Sequence, residues 1–159
     1  MDIHKTIIKN FDFDRPEHQK IIGELMNGYI ADEMGGGSLL TANQQKELIA
    51  GLKNHPKAIA IWAETNGKPS GFIVAFENFS TFTVRAMLNI HDVFVAPEFR
   101  GFGIGRKLMN DIIEKGKERG CSRITLEVRH DNTIAQKLYK SLEFEDTNPP
   151  MYFWRKYLK

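Results

Sequence analysis

The sequence contains one cysteine, Cys121, in 159 residues. A lone thiol cannot close an internal disulfide, and it leaves no cysteine-rich zinc site. Long apolar runs are missing too. The longest, Ala58 to Ala63, is far too short to cross a bilayer. No apolar stretch of signal-peptide length follows the N-terminal Asp2, His4 and Lys5. Neither sign of charge dominates: 22 Lys and Arg stand against 20 Asp and Glu, a formal net charge of +2. That is not the dense basic surface of a typical nucleic-acid binder. No internal repeat, low-complexity tract or linker divides the chain. These absences predict a cytoplasmic protein with a single domain over residues 1–159, without nucleic-acid or membrane partners and without a metal.

What is present is ordinary for a folded domain. Hydrophobic residues make up 42% and charged residues 26%, near the globular average. At this length a chain buries roughly 70% of its unfolded surface, so a core forms without staples. A short strand is expected at Ile3 to Lys9. Pro16 opens a helix with the apolar stripe Ile21, Ile22, Leu25, Met26, Tyr29 and Ile30, which ends in Gly35-Gly36-Gly37. Thr41 followed by Gln44 reads as a capping box for a second helix. A hairpin follows, Ala58–Glu64 and Gly71–Glu77 around Asn66-Gly67.

The next strand is expected from Phe82 to Val95, with Phe82, Val84, Ala86, Leu88 and Ile90 on one apolar face. Its alternation breaks at Asp92, which falls in the apolar phase while Val93 and Val95 fall in the polar one. A bulge, or a change in what covers each face, accounts for such a break, and bulges gather near active sites. Beyond it come a helix near Gly103–Arg119, a strand over Cys121–Val128, a short helix at Asn132–Leu142 and a last strand from Phe144, interrupted by Pro149-Pro150. The pattern describes a mixed α/β domain around one central sheet.

The segment most informative about chemistry is Val93-Phe94-Val95-Ala96-Pro97-Glu98-Phe99-Arg100-Gly101-Phe102-Gly103-Ile104-Gly105-Arg106. A strand, a glycine-rich turn and a helix start place converging N–H groups and the positive end of a helix dipole together, which suits a phosphate. Arg100 and Arg106 add charge-assisted donors. A single glycine pair would be explained by tight packing alone, but three alternating glycines between arginines favour the anion. The dinucleotide fingerprint fails because position 106 is arginine, and the P-loop Gly-Lys-Ser/Thr is absent.

Arg100-Gly101-Phe102-Gly103-Ile104-Gly105 resembles the Q/R-x-x-G-x-G/A signature of the GNAT superfamily of N-acetyltransferases. Val128 through Asn132, Ala135, Leu138-Tyr139 and Phe144 resemble its second signature. The order of elements is similar over nearly the whole chain. Ile90 through Gly105 looks like the small-molecule branch, such as the diamine and aminoglycoside acetyltransferases. The resemblance implies a largely antiparallel central sheet of about six to seven strands flanked by about four helices. It implies acetyl-CoA as co-substrate, with the backbone of Val93, Phe94 and Val95 pairing with pantetheine. The amides of Gly101 to Arg106 would hold the pyrophosphate. One departure stands out: Glu143 precedes Phe144 where the family usually has glycine.

Transfer of an acyl group from a thioester to an amine makes three demands: loss of the amine's proton, a donor for the oxyanion, and a proton for the departing thiolate. Asn132 and Tyr139 lie two turns apart on one helix face, beside the small Ala135. By resemblance, Asn132 touches the CoA arm and Tyr139 protonates the sulfur. The base is left open between His91 and Asp92, with Asn89 as a water-binding companion. Neighbours on a strand point to opposite faces unless a bulge intervenes. By the same resemblance the first two helices and the 34–38 loop between them line the acceptor pocket, and Asp32, Glu33 and Glu77 are available to attract a cationic amine. The aromatics of Met151-Tyr152-Phe153-Trp154 could wall a pocket or a homodimer contact. The activity expected is acetyl transfer to a primary amine of a small molecule. Two rivals stay open: a non-catalytic acyl-CoA sensor, and an acetyltransferase of protein lysines or N-termini.

Overall fold

A computed structural model describes residues 5–159. The start of the first expected strand, Ile3, lies outside the described residues. Two compact units are present, Met1–Glu127 and Val128–Lys159.

The larger unit holds β1 (Thr6–Asn10), α1 (Pro16–Ala31), α2 (Ala42–Asn54), β2 (Ala58–Thr65), β3 (Lys68–Ser80), β4 (Arg85–Val95), α3 (Ile104–Glu118) and β5 (Ile124–Leu126). The strands form one sheet in sequence order, antiparallel except for the parallel β4–β5 pair. Proline at the first turn of α1 supplies the fixed backbone angle a helix start favours. The Thr41–Gln44 capping box starts α2 as expected, each side chain serving the other's backbone N–H.

Alternation along the strands divides the core into two layers. Trp62, Phe72, Val74 and Phe94 pack with Ile22, Leu25 and Met26 of α1 and Leu52 of α2. Leu88 and Ile124 lie on the α3 side, close enough that a Cβ on Gly116 would touch both. Ile104, Leu108, Met109 and Ile112, all at most 1% exposed, form the buried stripe of α3. No helix among the described residues is long and apolar enough to cross a membrane.

Three sequence expectations need correction. The described residues form five strands rather than six to seven. Residues from Phe144 onward are irregular, and Pro149 and Pro150 remove two of the N–H donors that a strand needs. The strand expected at Phe82 begins instead at Arg85, because β3 runs on to Ser80 and residues 81–84 form the turn between them. Phe82 and Val84 are accordingly exposed. The strand expected over Cys121–Val128 is reduced to the three residues of β5.

The smaller unit is built around α4 (Thr133–Lys140). Asn132 caps it, its side-chain oxygen accepting from Ala135 N–H at 3.1 Å. Tyr139 is buried, with the Phe144 ring 6.0 Å away.

Candidate active site

The phase break noticed in the sequence is a β-bulge. In the β3–β4 ladder Val74 pairs with Asp92 and Ala75 with Ile90, so His91 is the extra residue. Before the bulge Leu88 and Ile90 are buried on the α3 face; after it Phe94 joins the α1 layer. The extra residue therefore inverts the facing of everything that follows. It puts His91 and Asp92 on one face, toward α1 and α2. The His91 ring meets Phe76 edge-on at 5.9 Å, and Phe76 packs on the α1 core.

Neighbours that would otherwise diverge are thereby bonded, His91 Nδ1 to Asp92 Oδ2 at 3.1 Å. Asp92 is mostly buried while the histidine side chain is 65% exposed. The hydrogen bond that His91 donates to Asp92 raises the His91 pKa above its usual 6.5 against an opposing burial effect, with the charges of Asp92 and Glu127 adding to the rise. The bond occupies Nδ1 and leaves Nε2 as the second nitrogen of a largely exposed ring. That is the arrangement of a carboxylate-oriented imidazole, able to take up a proton at Nε2.

The bulge also marks where β4 leaves its other neighbour. The parallel β4–β5 ladder covers only Leu88–Ile90 against Ile124–Leu126. From Asp92 to Val95, β4 pairs with β3 alone among the described residues. One edge of Val93, Phe94 and Val95 thus offers backbone groups to an extended ligand, apart from the Val95 carbonyl, which accepts from Arg100. Asn89, the candidate water binder, instead ties the two strands together where they still pair, its Nδ2 donating to Thr125 Oγ1 at 3.1 Å.

The glycine turn follows. Gly101 and Gly103 have φ of 83° and 77°, and a Cβ on either would meet nothing within 4 Å. Left-handed backbone explains the glycines, and the open space beside them is room for a ligand. Gly103 caps α3 without a side chain, and the first bond of the helix ladder runs from Lys107 N–H to Gly103 C=O. Ile104 sends its side chain into the core, so only its backbone remains for a ligand. Phe102 is 52% exposed at the rim. A helix start with no capping side chain, glycine at its entry and space in front fits a pyrophosphate.

Arg100 is held within the protein. Its guanidinium donates to Asp32 at 2.6 Å and to Val95 C=O at 2.9 Å, and lies over the Phe94 ring. Sequence reasoning offered both Arg100 and Asp32 to ligands and missed that they hold each other. Nothing in local spacing links residues so far apart. Glu77 is likewise committed, to Lys57 at 2.6 Å and Arg119 at 3.0 Å. A cleft of about 560 Å³ lies between the C-terminal half of α1 and the end of β4, lined by Glu24, Gly28, Glu33, Phe94, Pro97 and Glu98 among others. It does not include His91.

A family model of the GNAT acetyltransferases matches residues 24–144. The chain belongs to this family. An uncharacterized N-acetyltransferase of Methanocaldococcus jannaschii is 44% identical over 84 residues, 52% of this chain and 37% of that protein. Thialysine N-epsilon-acetyltransferase of Bos taurus is 36% identical over 76 residues, 48% of this chain and 44% of that one. The match thus spans less than half the length of these two relatives. The fold is that of the solved aminoglycoside acetyltransferase AAC(6')-Iy bound to a bisubstrate analog, with a TM-score of 0.77 and 19% identity over 97% of this chain and 99% of that one.

Proposed function

We propose that the chain is an acetyl-CoA-dependent N-acetyltransferase that transfers acetyl directly to a primary amine of a small molecule. The observation that carries this reading is the bulge at His91, which joins a carboxylate-oriented imidazole to the unpaired edge of β4. The thialysine and aminoglycoside acetyltransferases named above support the small-molecule class.

Acetyl-CoA supplies the activated acetyl group as a thioester. The amides from Gly101 to Arg106 hold its pyrophosphate, and Val93, Phe94 and Val95 bond its extended arm. An aliphatic ammonium has a pKa near 10, about that of lysine, so at neutral pH it must give up a proton. His91 Nε2 takes it. Asp92 keeps the ring in place through Nδ1 and stabilises the imidazolium that results. Tyr139 carries the proton for the departing sulfur, an assignment resting on its register with Asn132 and Ala135 in the family's second signature. Asn132 secures α4 through its cap, which keeps that register.

Calorimetry with CoA and a thiol-release assay across polyamines, aminoglycosides, amino acids and peptides test the proposal. CoA binding with thiol release on a small amine is expected. CoA binding without release on any amine would favour a sensor, and release on peptides alone would favour a protein substrate.

A further inference from the structure

The glycine turn in front of α3 has little packing of its own. Gly101 and Gly103 border open space, and Phe102 between them is half exposed. The turn is therefore placed from its two ends. On one side α3 is anchored in the core through Ile104 and Leu108. On the other stands Arg100, the last residue before the glycines, and its anchorage comes from its side chain.

That side chain makes three contacts. Nε donates to Val95 C=O at 2.9 Å, Nη2 donates to Asp32 Oδ2 at 2.6 Å, and the guanidinium carbon lies 5.9 Å from the centre of the Phe94 ring. The first bond closes the segment between β4 and the glycines around the single turn Pro97–Phe99. The second reaches across the fold to the end of α1. A guanidinium carries its donors in a rigid planar fork, so serving both acceptors fixes its plane.

Asp32 is a firm place to hold it from. Its side chain is 11% exposed, its Oδ1 accepts the Met34 N–H, and its own N–H donates to Tyr29 C=O at 3.1 Å. Both carboxylate oxygens are thus engaged. The helix behind it presses on the same part of β4. A Cβ on Gly28 would come within 3.3 Å of the Phe94 ring, and the Tyr29 ring lies 5.7 Å from that ring. Moving Arg100 onto a phosphate would leave a mostly buried carboxylate without its counter-charge, which is costly. The influence of Arg100 on a ligand therefore runs through the backbone it places.

We propose that Asp32 is a positioning residue for CoA: through Arg100 it sets the glycine turn and the end of β4, where the pyrophosphate and the extended arm bind. This role rests on the acetyl-CoA reading above. Two roles for Arg100 then differ in sign. A strut released from Asp32 loosens the turn and weakens CoA binding, whereas a phosphate ligand released from a competing carboxylate would bind CoA more tightly.

The test is calorimetry with CoA, on variants shown by circular dichroism to be folded. Asp32→Asn keeps the shape and removes the charge; it should bind CoA about tenfold more weakly, the worth of one charge-assisted hydrogen bond. Arg100→Lys keeps the charge but not the fork, and should lose about as much. The two together should lose no more than either alone, because both break the same contact. Thr41→Ala removes the cap of α2 and destabilises the chain to a similar degree, yet should bind CoA within about twofold of wild type. Unchanged or tighter binding by Asp32→Asn overturns the proposal, as does full affinity in Arg100→Lys or an equal loss in Thr41→Ala. Absence of CoA binding by the folded wild type would instead remove the acetyl-CoA reading, and this role with it.

Discussion

The Arg100 guanidinium lies 2.6 Å from the Asp32 carboxylate, and through it the end of α1 is fastened to the turn that precedes α3. Asp32 Oδ1 also accepts the Met34 N–H at 3.0 Å, and Arg100 Nε donates to Val95 C=O. One residue pair therefore fixes the α1–α2 loop, the end of β4 and the glycine turn together. Burial alone would raise the Asp32 pKa, but the Met34 N–H and the bond and charge of Arg100 outweigh it and hold the carboxyl below its usual range. A depressed carboxyl contributes stability that is complete above its ordinary pKa and is lost as pH falls through the depressed value.

Asp32→Asn should therefore cost about 1 kcal/mol at pH 7, a modest figure because Arg100 is half exposed and its charge is screened. Urea unfolding at pH 7 and at about pH 3 checks this, with the gap between wild type and variant narrowing at the acid end. An equal gap at both would mean that the pair contributes shape rather than charge.

Gly103→Val places a β-branched side chain at a φ of 77°, which costs about 1–2 kcal/mol in backbone strain. It also fills the space in front of the first amides of α3. CoA affinity should fall by at least about tenfold, while the α3 stripe keeps the fold. Calorimetry with CoA, alongside circular dichroism, measures both. Undiminished affinity in a folded variant would remove the turn from the binding site.

Much of this was legible in the sequence because it depends on local rules. The Thr41–Gln44 box, the proline start of α1 and the glycine turn before Ile104 each encode themselves within a few residues. The bulge announced itself too, as Asp92 in the apolar phase. Its consequence was not legible: the extra residue puts Val93 on the α3 side and Asp92 beside His91. Long-range pairs gave no signal. Arg100 with Asp32, and Glu77 with Lys57 and Arg119, are set by how the layers stack, which periodicity does not report.

Glu143 occupies the left-handed region, φ 65°, just past α4, where Phe144 N–H returns to Tyr139 C=O at 3.0 Å. Helices commonly end this way, and glycine is the usual residue. A Cβ there costs about 1–2 kcal/mol, against roughly 0.5–1 kcal/mol of extra chain entropy that glycine loses on folding. Glu143→Gly should thus stabilise the protein by about 0.5–1 kcal/mol, a rise of about 1–4 °C in Tm for a chain of this size. Calorimetric melting decides it, with Glu143→Ala as the control that keeps the strain. A lower Tm for the glycine variant would mean that the glutamate side chain contributes more than its backbone costs.

The His91–Asp92 pair makes the sharpest forecast, because its pKa has a sign. Asp92 holds the His91 proton more tightly than water would, so the imidazole loses it only above the ordinary 6.5. If Nε2 is the base, kcat/KM rises with pH along a limb centred above that value. Asp92→Asn removes the carboxylate's charge and loosens the ring; the limb should move down while kcat falls about 10- to 100-fold. His91→Gln should abolish the limb and cost about 10²- to 10⁴-fold, the usual range for a positioned base. Stability gives an independent reading. A raised histidine contributes stability fully below about pH 6.5 and loses it as pH climbs through the folded-state value. The unfolding gap between wild type and His91→Gln should therefore close between mildly acidic and alkaline pH. Pairing without catalysis would close the stability gap but leave the pH–rate limb unchanged in His91→Gln. That combination would move proton removal from the histidine to water or to capture of the neutral amine.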